Sequence, residues 1–229
     1  MPEPYFIYKG ISSKDMGILV NVPPPIIRIP RDITKIVIPG RNGFLTEDSG
    51  TYGGTLKPCQ CTLLDIANVD EVLMWLEGSG DVIFSNQPDR VYKGSIISQI
   101  PFDKIMFQWY KFIVIFECQP IAQTLTNDVI QMDKPGTIFS EGTSSISKPI
   151  IKVYGTGSID LIINGNINHL TNVVGSITID SQMIDAYRDT LLQNSNMTGE
   201  FPELIIGANT INWTGTVTYI EITPNWGYI

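Results

Sequence analysis

The sequence predicts a mainly β protein built from two domains. Short runs rich in β-branched and aromatic residues recur along its 229 residues, separated by Gly, Pro, Asn and Asp. A clear helical period is confined to residues 65–80. In QPIAQTLTNDVIQMDKPGTIFSEGTSSISK, residues 119–148, the periodicity fades into polar and turn residues, which predicts a boundary between two units. The expected division is residues 1–130 as an N-terminal β domain, 131–148 as a linker region and 149–229 as a C-terminal β-sandwich, with room for a pairing strand in DVIQM, residues 128–132, within the boundary stretch.

The elements follow in order. YFIYKGI and GILVNV, split by the polar SSKD, read as strand, turn, strand. Pro23 to Pro25 cannot donate to a central ladder, so the next segment is a connector or an edge. TLKPCQCTLLD reads as a strand with Leu56, Pro58, Gln60 and Thr62 on one face and Cys59, Cys61 and Leu63 on the other. DIANVDEVLMWLEGSG predicts a helix near 68–77, capped by Asn68 with Glu71 as its capping-box partner. Val69, Val72, Leu73 and Leu76 form its apolar face, and Gly78 is its left-handed stop. DVIFSNQPDRVYKGSIISQI offers two strands joined at SNQPD, and MFQWYKFIVIFECQP one long strand ending at Pro120. In the second half, KPIIKVYG, GSIDLIING, GSITIDS, PELIIGANTINW and GTVTYIEITPNW read as separate short strands. Asn164–Gly165 predicts a type I′ hairpin, which needs positive φ at both central residues.

Composition excludes several function classes. A net charge of −8 with no basic stripe argues against a protein that grips nucleic acid through its phosphates. The N-terminus has no signal-peptide pattern and no stretch approaches the roughly 20 apolar residues of a membrane span, so the chain is expected to be made and kept in the cytosol, or exported without a standard signal. Cys59, Cys61 and Cys118 show no zinc-ligand spacing and read as reduced, half-buried strand thiols.

The glycine-rich stretch IPGRNGFLTEDSGTYGG, residues 38–54, lacks both GxxxxGK[ST] and GxGxxG, and Glu47 and Asp48 would repel a phosphate. Those two carboxylates are adjacent, so in an extended chain they point to opposite faces and make a poor acid/base couple. His169, the sole histidine, reads as a surface or cross-strand residue rather than a general base. No catalytic constellation, cofactor loop or metal-ligand set emerges. Trp213, Tyr219, Trp226 and Tyr228 leave a carbohydrate-binding module in the second domain as the alternative function, although core packing accounts for such aromatics equally well.

Taken in order, GISSKDMGI, IPGRNGFLTEDSGTYGG, WLEGSGDVIFSNQPDRVYKG, FIVIFECQP, INGN, FPELIIGANTINW and the closing Trp226 resemble the distal tail proteins of long, non-contractile-tailed bacteriophages (siphophages) and related prophages. The resemblance covers the whole chain. It implies an N-terminal β-sandwich with one helix and an extended hairpin, and a C-terminal galectin-like β-sandwich. It implies a structural virion protein, not an enzyme, made in the host cytoplasm and forming a hexameric ring hub at the distal end of the tail. The implied partners are the tail tube protein on one face and a tail-associated lysin, baseplate or fibre protein on the other, with receptor-binding proteins at the periphery. DNA would be a passenger through the central channel, for which the −8 charge suggests an acidic or neutral lining. On this reading residues 38–54 pack against a neighbouring subunit, with Arg41, Phe44 and Tyr52 as candidate interface residues.

Overall fold

Alternation along TLKPCQC produces one long strand of the first unit. Thr55, Lys57, Cys59, Cys61 and Leu63 are buried, while Leu56, Pro58 and Gln60 are exposed. Thr62, expected on the outer face, is buried as well, its hydroxyl accepting from the Asn21 amide. The computed structural model describes residues 3–140 and 145–229. The chain divides into two compact units, one running to Ala122 and taking in Ile229, the other from Gln123 to Tyr228.

The strands of the first unit are β1 (Phe6–Tyr8), β2 (Ile11–Ser12), β3 (Ile18–Val22), β4 (Arg31–Ile36), β5 (Leu45–Tyr52), β6 (Thr55–Leu63), β7 (Gly78–Phe84), β8 (Gln87–Ile96), β9 (Asp103–Met106) and β10 (Trp109–Cys118), with helix α1 at Val69–Trp75 between β6 and β7. The sheet runs β2-β1-β7-β8-β10-β6-β3, and β9 lies on β10. β8 and β10 share only two residue pairs, Glu117↔Ser95 and Cys118↔Gly94. That narrow join is a corner, so β2-β1-β7-β8 and β10-β6-β3 act as two layers facing one another. Phe116 bridges them, its ring 5.2, 5.4 and 5.6 Å from those of Phe6, Tyr8 and Phe84, each edge-on.

Helix α1 closes this core with Val72, Trp75 and Leu76. Trp75 stacks on Phe6 at 5.6 Å and donates its indole N–H to the Tyr8 carbonyl, so its polar edge is satisfied while its face is buried. The helix begins differently from the sequence expectation. Asn68 makes no capping bond; Asp65 instead caps a preceding 3₁₀ turn by accepting from the Ala67 N–H. Leu73 is 41% exposed and Trp75 takes the inward place expected for it. Gly78 has φ +78 and is the expected left-handed stop. The long strand expected in MFQWYKFIVIFECQP is a hairpin, β9 and β10, turning at Phe107 with φ +47.

All three cysteines are free and buried, deeper than the half-buried position expected. Burial pushes the Cys61 and Cys118 thiols up to about 12 and raises Cys59 as well, which leaves them unreactive in the folded chain. Lys57 is only 4% exposed, with its ammonium 4.3 Å from the Tyr92 ring centroid and 5.8 Å from that of Phe84. The rings offset part of the desolvation cost, yet burial still lowers the lysine pKa from 10.5. Below the folded pKa both states carry the charge and the penalty is complete. Between the folded pKa and 10.5 the unfolded chain binds more protons, so stability rises with pH, and above 10.5 the penalty vanishes. Lys57→Met is therefore expected to stabilise by about 1 kcal/mol at pH 7. Urea unfolding of both proteins should show this advantage shrinking as pH rises towards 10.

The second unit contains β11 (Ala122–Thr124, at the boundary), β12 (Ile130–Met132), β13 (Gly136–Ser140), β14 (Ile150–Ile163), β15 (Asn166–Asp180), β16 (Asp185–Arg188), β17 (Leu191–Leu192), β18 (Met197–Thr198), β19 (Gly207–Thr223) and β20 (Gly227–Tyr228). Its sheet runs β12-β19-β14-β15-β16-β17, with β13 on β19 and β18 on β15. β12 and β13, from the polar stretch 119–148, thus pair within this unit. The short strands expected in the second half are instead continuous: KPIIKVYG and GSIDLIING merge into β14, and PELIIGANTINW and GTVTYIEITPNW contribute to β19.

These long strands bend in the middle. The β14–β19 register shifts between Tyr154 and Gly155 and again between Thr156 and Asp160. A Cβ on Gly155 would stand 2.3 Å from the Thr216 carbonyl oxygen, and one on Gly215 2.4 Å from that of Ser158, so only glycine permits this backbone approach. Beyond the bend the two halves of each strand pack against each other. Ile151, Val153, Ile177, Ile179, Ile220 and Ile222 from one half share a core with Ile159, Leu161, Ile163, Leu170 and Ile211 from the other, as a β-sandwich requires. The Asn164–Gly165 turn has φ +51 and +87, the positive values that the sequence predicts.

Candidate assembly surface

The stretch 38–54 lies in a two-stranded hairpin that stands apart from both larger sheets. β4 and β5 pair antiparallel from Arg31↔Tyr52 to Ile36↔Leu45. Every residue from 30 to 51 is exposed. Ile33, Ile36, Val37, Ile38, Phe44 and Leu45 are among them. A β-branched strand gains stability by covering an apolar layer. Among the described residues of its own unit this hairpin has no such layer.

Side-chain contacts hold it together at its base. Arg31 Nη1 lies 2.9 Å from Asp48 Oδ2, and its Nε donates to the Tyr52 hydroxyl at 3.3 Å. The Arg31 guanidinium also sits 5.6 Å from the Tyr52 ring centroid. The Gly50 N–H and Arg31 hold the Asp48 carboxyl below the usual carboxylate range, and the bond to Asp48 raises Arg31 further. Ser49 donates to the Asp32 carbonyl at 2.8 Å.

The three sequence-predicted residues divide along this arm. Tyr52 is at the base, engaged by Arg31. Arg41 is in the tip turn, where its N–H donates to the Ile38 carbonyl at 3.1 Å, and its side chain is exposed. Phe44 is near the tip with Lys35 4.9 Å over its ring. Arg31 was not singled out by the sequence because its partner is 17 residues away and only strand pairing brings Asp48 to it.

A second apolar finger escapes sequence reading altogether. At the β9–β10 tip Ile105, Met106, Phe107 and Trp109 are exposed, Phe107 to 85%. The turn contains no Gly, Pro or Asn, so no local signal marks it.

His169 Nδ1 lies 2.7 Å from Asp160 Oδ1 across β14–β15, and Thr214 Oγ1 lies 3.4 Å from Asp160 Oδ2. Thr214 and His169 thus share the Asp160 carboxylate, with His169 in the cross-strand position that the sequence predicts. Among the described residues no cluster of three His, Cys, Asp or Glu could hold a metal ion. No helix among them is long and apolar enough to cross a membrane. Trp213 and Trp226 pack against the second core, and Tyr219 stacks on Tyr154 at 4.2 Å.

No family model and no curated protein matches the sequence. The fold, however, is similar over its whole length to a solved structure. It matches the crystal structure of SPP1 Dit (gp 19.1), described as a paradigm of hub adsorption apparatus in Gram-positive infecting phages, with a TM-score of 0.75. The match covers 96% of this chain and 98% of that one at 13% sequence identity. The fold is therefore the one that the resemblance to siphophage distal tail proteins implies.

Proposed function

We propose that this chain is a structural hub protein of a siphophage tail. It forms a ring at the distal end of the tail, joins the tail tube to the tail-associated fibre or lysin protein, and leaves a central channel for DNA. The whole-length fold match to SPP1 Dit carries this reading. A hexamer with receptor-binding proteins at its periphery is the finer form of the proposal.

The β4–β5 arm supports it physically. An exposed hairpin with six large apolar side chains and no layer to cover suits an interface between copies, where a neighbour supplies the missing layer. Burying Phe44 and its neighbours there would contribute about 2 kcal/mol for each large side chain. Arg41, exposed in the tip turn, would on this reading donate to a neighbouring chain. The net charge of −8 suits a channel that does not retain the DNA backbone.

Arg41→Glu combined with Phe44→Asp changes the tip and leaves the Arg31–Asp48–Tyr52 base intact. Native mass spectrometry should find assembled wild-type chains at low micromolar concentration, and association of the variant weakened about 100-fold or more. A variant that assembles as wild type does would remove this arm from the interface.

A further inference from the structure

The dipeptide Asn–Gly occurs twice in the chain, at Asn42–Gly43 and at Asn164–Gly165. Its intrinsic chemistry is the same in both places. Glycine has no side chain to shield its amide nitrogen, so that nitrogen can attack the side-chain carbonyl carbon of the asparagine before it. The attack needs a backbone free to turn at the asparagine and a side-chain amide free to swing over the next peptide bond. The fold treats the two sites differently on both counts.

At Asn164 both freedoms are withheld. The Ile163↔Asn166 pair closes the β14–β15 ladder directly around the turn and holds its φ values at +51 and +87. The half-buried side chain is fully engaged. Its Oδ1 accepts from the Thr210 N–H at 3.0 Å, and its Nδ2 donates to Asn209 Oδ1 at 2.8 Å and to the Glu203 carbonyl at 3.4 Å. These bonds must break before Cγ can be reached. Asn42 is under neither restraint. The last β4–β5 pair is Ile36↔Leu45, so residues 37–44 form a loop beyond the ladder. Asn42 is exposed there, and its side chain makes no hydrogen bond among the described residues. Gly43 is exposed as well, and nothing lies within 4 Å of where a Cβ would stand on it, so no neighbour obstructs the approach.

We propose that Asn42 is a site of spontaneous deamidation and that the fold protects Asn164 from the same reaction. Hydroxide takes the Gly43 N–H proton, and the nitrogen bonds to Asn42 Cγ. The side-chain nitrogen takes a proton from water and leaves as ammonia, which closes a five-membered succinimide. A second water opens that ring at one carbonyl or the other. The product is aspartate or, with the backbone rerouted through the side chain, isoaspartate. One amide becomes one carboxylate, and nothing is oxidised or reduced. The new carboxylate follows Arg41 directly in the chain and offsets its positive charge. Resting on the reading of the arm as an interface, this gives the tip a lifetime. A copy that waits unassembled comes to carry a negative charge and an altered backbone where a neighbour is to pack.

The test incubates the full chain for days in mildly alkaline buffer, digests it with pepsin in acid, and reads the amide-to-acid mass change at each asparagine by mass spectrometry. In the folded chain Asn42 should convert about 100-fold faster than Asn164, the factor expected from the hydrogen bonds that Asn164 must first break. In concentrated urea, which removes the turn and those bonds, the two should convert at similar rates. Asn42→Gln should abolish the fast conversion, because glutamine has to close a larger ring. Equal rates at the two sites in the folded chain overturn the proposal. So does an Asn42 that persists in the folded chain while both sites convert in urea. Ion exchange separates converted chains by their extra charge, and native mass spectrometry should find their association weakened about 10-fold against fresh chain. Equal association overturns the lifetime, and a fresh chain that does not assemble overturns the arm interface on which it rests; neither result touches the chemistry at Asn42.

Discussion

Gly155→Ala is expected to unfold the second unit at much lower temperature while sparing the first. The new methyl carbon would stand 2.3 Å from the Thr216 carbonyl oxygen and 2.8 Å from Ile159 Cδ1. The isoleucine can rotate away, but the carbonyl belongs to a backbone already committed to the β14–β19 ladder. Relief therefore requires the two strands to separate where they bend, and the packing of one half on the other loosens with them. Overpacking that moves backbone costs about 3 kcal/mol. For a unit of this size the midpoint should fall by roughly 10–20 °C. Gly157→Ala is the control, since its φ is +83 but nothing lies within 4 Å of a Cβ there. It should cost only about 1 kcal/mol, the usual strain of a left-handed alanine. Calorimetry resolving the two units measures both effects, and equal shifts for the two variants would show that the bend tolerates a side chain.

Asn209→Ala is expected to be at least as damaging, for a polar reason. Asn209 is fully buried. Its carbonyl oxygen accepts from the Ile205 N–H at 2.7 Å and from Asn164 Nδ2 at 2.8 Å, while its amide donates to the carbonyls of Ile205 at 2.9 Å and Gly207 at 3.2 Å. One side chain thereby ties the 205–207 loop to the β14–β15 turn. Truncation removes these four hydrogen bonds, leaves the Ile205 N–H without its acceptor and opens a small cavity, together about 3 kcal/mol, while Ser140 Oγ still donates to the Ile205 and Gly207 carbonyls. Asn209→Asp keeps the shape but places an acceptor against two carbonyls when ionised, so it should also destabilise, with partial recovery in acid where the protonated carboxyl can donate. Urea unfolding at pH 7 and pH 4 distinguishes the two. An Asn209→Asp chain equally stable at both would mean that the amide donors contribute little.

Local order was legible wherever one side of a segment faces a core and the pattern is short. The alternation in TLKPCQC, the helix at VDEVLMW and the Asn164–Gly165 turn each follow from a few adjacent residues. The cap on α1 was misplaced by one element because Asp65 and Asn68 are both competent caps, and the choice depends on whether a 3₁₀ turn precedes the helix. The β9–β10 turn was invisible because it uses Phe107 at positive φ, a conformation that pairing on either side enforces.

The composition and periodicity of this chain are sufficient for a mainly β fold, for the absence of a phosphate loop, and for an arm at 38–54 with no core of its own, since each depends on residue type and near neighbours. What glycine does in the second unit is a different matter. In sequence, Gly155, Gly157, Gly175 and Gly215 look like the ends of short strands; in the folded chain they lie within long strands, Gly155 and Gly215 where close backbone approach leaves no room for a Cβ. A glycine permits a break and a bend equally, and only contacts between residues about 60 apart, such as Gly155 with Thr216, decide between them. The same long-range closure brings Asn164 to Asn209 and Arg31 to Asp48. Those juxtapositions belong to tertiary structure because no local preference of either partner encodes the distance between them.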